Sequence, residues 1–299
     1  MDNPFTESSM IRNPAKFFGR KEELHHIENR LRNMESISVV GERRIGKSSL
    51  LYHLYQTGTE KLGECYRLTY VDLQDVRNHF NCGKLFENIL KQAGVSFVAE
   101  DTVQGNLIAF SEATEKLHRE GTRLAILFDE FEEIVQHREA FPEDFFKQMR
   151  VLAQEEVLSI VTSSQRPLRD LCLDGQLTSP FYNVFKRIDL QDFTEEEAAE
   201  FLSHDWGIDW LSEEEVTFAI SYPQYCHPLI LQIICYWLVE NRTKQLSEKD
   251  LEKAIAQDAE NYFAKGFFKQ MRRHKSDILK GGKELWEIAK AIITKRLGG

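Results

Sequence analysis

Residues 41–48 read Gly-Glu-Arg-Arg-Ile-Gly-Lys-Ser, and no other stretch constrains the chain as much. They fit the pattern G-x-x-x-x-G-K-[ST] in full. The octapeptide stands between a short apolar run, ISVV from Ile37, and the helix-forming stretch SSLLYHLYQ, which is the strand–loop–helix context this pattern requires. Gly41 and Gly46 let backbone N–H groups turn inward on phosphate oxygens, and the following helix aims its positive end at the same point. Lys47 is placed to reach the β- and γ-phosphates of a nucleoside triphosphate, and the Ser48 hydroxyl to hold Mg²⁺. Glu42, Arg43, Arg44 and Ile45 lie where the backbone does the binding and side chains are free to vary. With Ser49 they complete the candidate nucleotide-binding stretch.

A second acidic signal lies downstream. LAILFDEFEE, from Leu124, is a buried-strand pattern that closes on acids. Asp129 at the strand's carboxyl end is the candidate Mg²⁺ ligand, and Glu130 the candidate general base for an attacking water. Glu132 and Glu133 read as solvated acids at a helix start.

Strands and helices alternate from the loop onward. Strand patterns at 65–73, 158–164 and 185–190 interleave with helical patterns near 84–92, 106–119 and 143–155. Such alternation predicts a parallel sheet with helices on both faces. One strand intervenes in sequence between the loop strand and the acidic strand, and a glutamate follows the metal aspartate. Together these predict the additional-strand class of P-loop ATPases. After Asp192 the strand signals stop. Thr194, Ser212 and Ser247 each open a helix as a hydroxyl cap followed by acids, and the first two carry a glutamate three residues on. The predicted organisation is an arm at 1–14, an ATPase core at 15–190, a helical lid at 191–264 and a basic helical segment at 265–299.

Charge and composition exclude several classes. The first residues, MDNPFTESSM, have neither the basic nor the apolar region of a secretory signal. The longest apolar stretch, 228–239, is well short of the roughly 20 residues of a spanning helix. Five scattered cysteines without C-x-x-C spacing fit a reducing cytoplasm rather than a disulfide frame or zinc site. Residues 265–299 hold ten Lys and Arg against three Asp and Glu, a net of +7, which leaves the rest of a −10 chain at −17. The basic segment reads as a solvated or docked helix face, with a nucleic-acid or acidic-partner contact as the alternative.

Over about residues 14–240 the chain resembles the STAND and origin-recognition-like branch of AAA+ ATPases. The resemblance rests on Phe17-Phe18-Gly19-Arg20, the GERRIGKSSLL loop, YVDLQ from Tyr70, LFDEFE, VTSSQRPL from Val161 and RIDLQDFTEEEA from Arg187. It implies that Phe18, Gly19 and Arg20 lie near the adenine and that VTSS is the strand that reads the γ-phosphate, with Ser164 as sensor. It also implies that Pro228, in Cys-His-Pro, packs near the nucleotide. Two positions depart from the family pattern. Cys226 replaces the lid glycine, and Ser164 stands where many members carry an arginine, with Arg166 two residues on. Arg166, Arg169 and Arg187 are candidates either for an arginine acting on a neighbouring subunit or for surface ion pairs. One of Arg43 and Arg44 is expected to point to Glu42 or the lid, the other to sense phosphate or a neighbouring subunit. Trp206, Trp210 and Trp237 are expected in the lid core.

The leading functional expectation is an ATP- and ADP-binding regulatory ATPase with slow Mg²⁺-dependent hydrolysis, acting as a switch in signalling or defence through a protein partner or self-assembly. A DNA-associated initiator or loader using the basic segment is the alternative, and a scaffold that binds nucleotide for stability alone is the third. No membrane association is expected.

Overall fold

A computed structural model describes residues 3–6, 9–75, 81–208, 211–222 and 226–263. The chain divides into two compact units: a sheet unit of Ile11–Arg43 and Lys47–Leu190, and a helical unit of Met1–Met10, Arg44–Gly46 and Gln191–Gly299.

In the sheet unit five strands, β1 (Ser36–Val40), β2 (Tyr66–Asp72), β3 (Arg123–Asp129), β4 (Leu158–Ser164) and β5 (Phe185–Asp189), form one parallel sheet. Their spatial order is β2-β3-β4-β1-β5. The acidic strand β3 is thus one place removed from the loop strand β1, with β4 inserted between them, as the additional-strand class requires. Every residue of β1 and β4 is buried. Strands covered on both faces read as continuous apolar runs, and for that reason ISVV and LAILF show no alternation.

The strands alternate with α1 (Lys21–Arg32), α2 (Lys47–Leu62), α3 (Cys82–Gln92), α4 (Val103–Arg119), α5 (Glu132–Gln136), α6 (Glu143–Gln154) and α7 (Leu168–Asp174). Side-chain caps set several starts: Asn81 accepts the Lys84 N–H and Thr102 accepts the Gly105 N–H. Aromatic side chains weld α3, α4 and α6 into the core, with Phe86 and Phe110 stacked at 3.9 Å and Phe141, Phe145 and Phe146 fully buried beside them.

In the helical unit α8 (Glu195–Leu202) and α9 (Glu213–Ile220) begin with complete capping boxes, Thr194 with Glu197 and Ser212 with Glu215. Then come α10 (Pro228–Lys244) and α11 (Glu248–Glu260), the latter capped by Ser247. Leu229, Ile230, Leu231, Ile233 and Ile234 of α10 are buried together. The arm is anchored at residues 3–6. Phe5 is buried against Phe201 and Trp206, and the Asn3 amide donates to the Tyr236 carbonyl. One aromatic anchor creates no periodicity, so its sequence gives no sign of the contact. Trp206 and Trp237 are half-buried, donating to the Phe201 carbonyl and to Asp258; Trp210 and the basic segment lie outside the described residues. Among the described residues no helix is long and apolar enough to cross a membrane.

Candidate functional site

The site is built where β1, β3 and β4 end. In a parallel sheet this is the edge at which ligands bind, because loops leave it toward the helix N-termini. Between β1 and α2 the chain makes two left-handed turns, with φ of 70° at Arg44 and 100° at Gly46. At 100° any side chain is strained, so Gly46 is required by the backbone even though a Cβ there would meet open space.

Lys47 opens α2 and is only 5% exposed. Its ammonium donates to the carbonyls of Gly41 and Glu42, at 2.9 and 3.0 Å. The loop is thereby closed on its own lysine. Burial holds that ammonium below the usual lysine range, and Glu130, Glu132 and Asp129 pull it back upward. Ser48, the first residue after Lys47, is partly accessible, whereas the Ser49 hydroxyl is engaged by the backbone N–H of Ile11 at 3.0 Å. Glu42, Arg43 and Arg44 are exposed and Ile45 is buried. Arg44 clusters with the helical unit, its guanidinium 5.3 Å from the centre of the Tyr262 ring.

Asp129 ends β3 and is 3% exposed. A buried carboxylate needs partners, and it has one hydroxyl from each flanking strand. Tyr70 of β2 donates to Oδ2 at 2.8 Å, and Ser163 of β4 donates to Oδ1. Burial, then the Asp129 charge, raises the Tyr70 phenol and keeps it a donor. Glu130 turns the chain sharply, at φ 54°, and its N–H donates to the same Ser163 hydroxyl at 3.1 Å. Desolvation, followed by the charges of Asp129 and Glu132, pushes the Glu130 carboxyl above the ordinary glutamate range, with Lys47 opposing. Glu132 is not a free surface acid: its carboxylate accepts the Gln165 N–H.

Tyr70 and Ser163 are the residues that sequence reasoning missed. Ser164, the sensor candidate, is fully buried and its hydroxyl donates to the Arg166 carbonyl at 2.7 Å. The strand register brings Tyr70 to the acid. Tyr70 pairs with Leu127 and Asp72 with Asp129, so the period of two puts Tyr70 and Asp129 on one face.

At the start of the sheet unit, Gly19 and Arg20 take consecutive left-handed conformations, with φ of 70° and 62°. Arg20 is buried and paired with Glu23 at 3.1 Å, and Phe17 is stacked on His53 of α2 at 4.2 Å. Pro228 occupies the first turn of α10, where its missing N–H costs nothing. Arg166 and Arg187 make surface ion pairs with Asp174 and Asp189, and Arg169 is exposed on α7.

A glycine loop closing on a lysine, with an aspartate–glutamate pair one strand away, defines a P-loop NTPase. The chain belongs to the Novel STAND NTPase 2 family, whose model matches residues 32–281. Its fold is similar to the Walker-type ATPase of Pyrococcus abyssi, at 18% identity and a TM-score of 0.65, over 91% of this chain and 80% of that one. It is also similar to the ADP form of the Aeropyrum pernix ORC2 protein, at 15% identity and a TM-score of 0.61, over 85% of this chain and 72% of that one. Domain III of the Thermotoga maritima replication initiation protein DnaA matches at 17% identity and a TM-score of 0.52, over 85% of this chain and 97% of that one. No curated protein matches the chain.

Proposed function

We propose that the protein binds ATP with Mg²⁺ at residues 41–49 and hydrolyses it slowly, acting as a nucleotide-dependent switch in signalling or defence. The observation that carries this reading is the setting of Lys47. Its ammonium is buried, and the carboxylates acting on it are Glu130, Glu132 and Asp129. A phosphate-seeking cation and two acids of different role are gathered at one sheet edge.

The residues present fit a hard cation. Asp129 offers a buried carboxylate already steadied by two hydroxyls, and Ser48 offers a hydroxyl; both are oxygen donors. Asp129 and Ser48 would hold Mg²⁺, which when bound supplies charge neutralisation on the phosphates. Glu130 takes a proton from a water whose oxygen bonds to the γ-phosphorus. The bond from that phosphorus to the β–γ bridging oxygen breaks, and its electron pair leaves with ADP. Lys47 is assigned to the β- and γ-phosphate oxygens. Phe18, Gly19 and Arg20 are assigned to the base and Pro228 to the nucleotide side of α10. Of the two serines that end β4, Ser163 ties the two acids together, and phosphate sensing is assigned to its neighbour Ser164.

Native mass spectrometry tests the switch. The protein should carry ADP through purification, and a slowly hydrolysed ATP analogue should change its assembly state or its hydrogen-exchange pattern. Identical assembly and exchange with ADP and with the analogue would leave only a nucleotide-binding protein, without a switch.

A further inference from the structure

Tyr70, which donates to Asp129, is itself held by a network of side chains. Among the described residues β2 is an edge strand, hydrogen-bonded to β3 on one side. At Tyr70 a side chain of α3 reaches the open side. The Gln92 amide of α3 accepts the Tyr70 N–H at 3.0 Å and donates to the Tyr70 carbonyl at 3.0 Å, doing for one residue what a sixth strand would do. Asn88, one turn earlier, accepts from the same Gln92 nitrogen at 3.1 Å.

The ring of Tyr70 is held as firmly as its backbone. Tyr52 of α2 meets it edge-on, with centroids 5.3 Å apart, and Tyr55 packs at 6.0 Å. With main chain and ring both held, the hydroxyl donates to Oδ2 of Asp129. The Ser163 hydroxyl holds Oδ1 from the opposite strand. Each carboxylate oxygen has two lone pairs. One on each is spent on a hydroxyl, which fixes the plane of the carboxylate and leaves one on each for other ligands.

We propose that Tyr70, tethered by Gln92, is a positioning residue that orients the Asp129 carboxylate for the divalent cation. The inference rests on the reading of Asp129 as the Mg²⁺ ligand. Partners that orient a metal ligand typically set metal affinity by 10- to 100-fold. A hydroxyl that served only to satisfy a buried acid would affect stability and leave metal coupling alone.

The test is ADP affinity by calorimetry, with and without Mg²⁺, in the full chain and in the variants Tyr70→Phe, Asp129→Asn, Gln92→Met and Tyr52→Phe. Tyr70→Phe keeps the ring and removes only the O–H. It should retain the metal-free ADP affinity and lose about tenfold or more of the enhancement that Mg²⁺ confers. Gln92→Met, which cuts the tether without touching the ring, should show a smaller loss of the same enhancement, and it carries the test if Tyr70→Phe is unstable. Tyr52→Phe should behave as the parent. If Asp129→Asn loses the enhancement while Tyr70→Phe and Gln92→Met keep it, Tyr70 is not a positioning residue and the Asp129 reading stands. If Asp129→Asn itself keeps the full enhancement, the Asp129 reading falls and takes the role of Tyr70 with it.

Discussion

The hydroxyl of Ser163 donates to Oδ1 of Asp129 from the neighbouring strand, and it also accepts the N–H of Glu130. One buried side chain therefore ties together the two acids assigned to cation and water. Ser163→Ala leaves a buried carboxylate oxygen and a backbone N–H short of partners. The expected cost is about 1–3 kcal/mol of stability, with hydrolysis reduced more than nucleotide binding. Urea denaturation and ATP turnover check this; parent-like values of both would mean that other groups hold the two acids in place.

Lys47→Ala removes the one buried ammonium of the loop. A charge-assisted hydrogen bond to phosphate contributes about 1.5–3 kcal/mol, so ATP affinity should fall about tenfold or more. The fold should survive, because the hydrogen bonds Lys47 makes are two, to the loop carbonyls of Gly41 and Glu42. Calorimetry giving equal ATP affinity in variant and parent would remove the loop as the binding site.

Glu130→Gln should bind ATP and fail to turn it over, since an amide cannot take the proton from water. It should also stabilise the nucleotide-free protein in a pH-dependent way. The folded Glu130 carboxyl titrates above its unfolded value, chiefly through burial. Stability tied to its protonated form is fully present below the unfolded value and is lost as pH rises through the folded one. The variant escapes that loss. Its advantage in melting temperature should be largest near neutral pH and shrink on acidification through the window above the ordinary glutamate value. A variant no more stable than the parent at neutral pH would contradict the assignment of a strained, desolvated base.

Much of this architecture is legible in the sequence, and the reasons differ by element. The loop is legible because Gly46 and Lys47 serve local backbone geometry and one phosphate chemistry, both encoded within eight residues. β4 is legible because Leu158, Ile160 and Val161 stand in a run of seven residues without a charge, and α8 and α9 because their capping boxes are local. What resists reading is side-chain pairing across strands. Tyr70 and Ser163 reach Asp129 only once the register of β2, β3 and β4 is known, and register is set by the whole sheet. The choice between Ser163 and Ser164 turns on which face of β4 each occupies. The anchor at Phe5 was hidden because it depends on an aromatic cleft built some two hundred residues later, by Phe201 and Trp206.

The basic segment separates the switch from a DNA-associated role. Binding through phosphate contacts releases counterions, so affinity would fall steeply with salt and vanish when the Lys and Arg of residues 265–299 are neutralised. With −17 on the remainder of the chain, weak or no duplex binding is expected at physiological salt. Sub-micromolar binding there, lost on neutralising the segment, would favour the initiator or loader reading.

The central claim is that nucleotide stays on this protein long enough to act as a state. The most direct measurement is the steady-state rate of ATP hydrolysis beside the rate of ADP release, followed with a fluorescent ADP analogue in the same preparation. The two rates should coincide, both below about 0.1 s⁻¹, at the low end of enzyme turnover. Turnover of many per second, with ADP leaving faster than ATP is consumed, would contradict it.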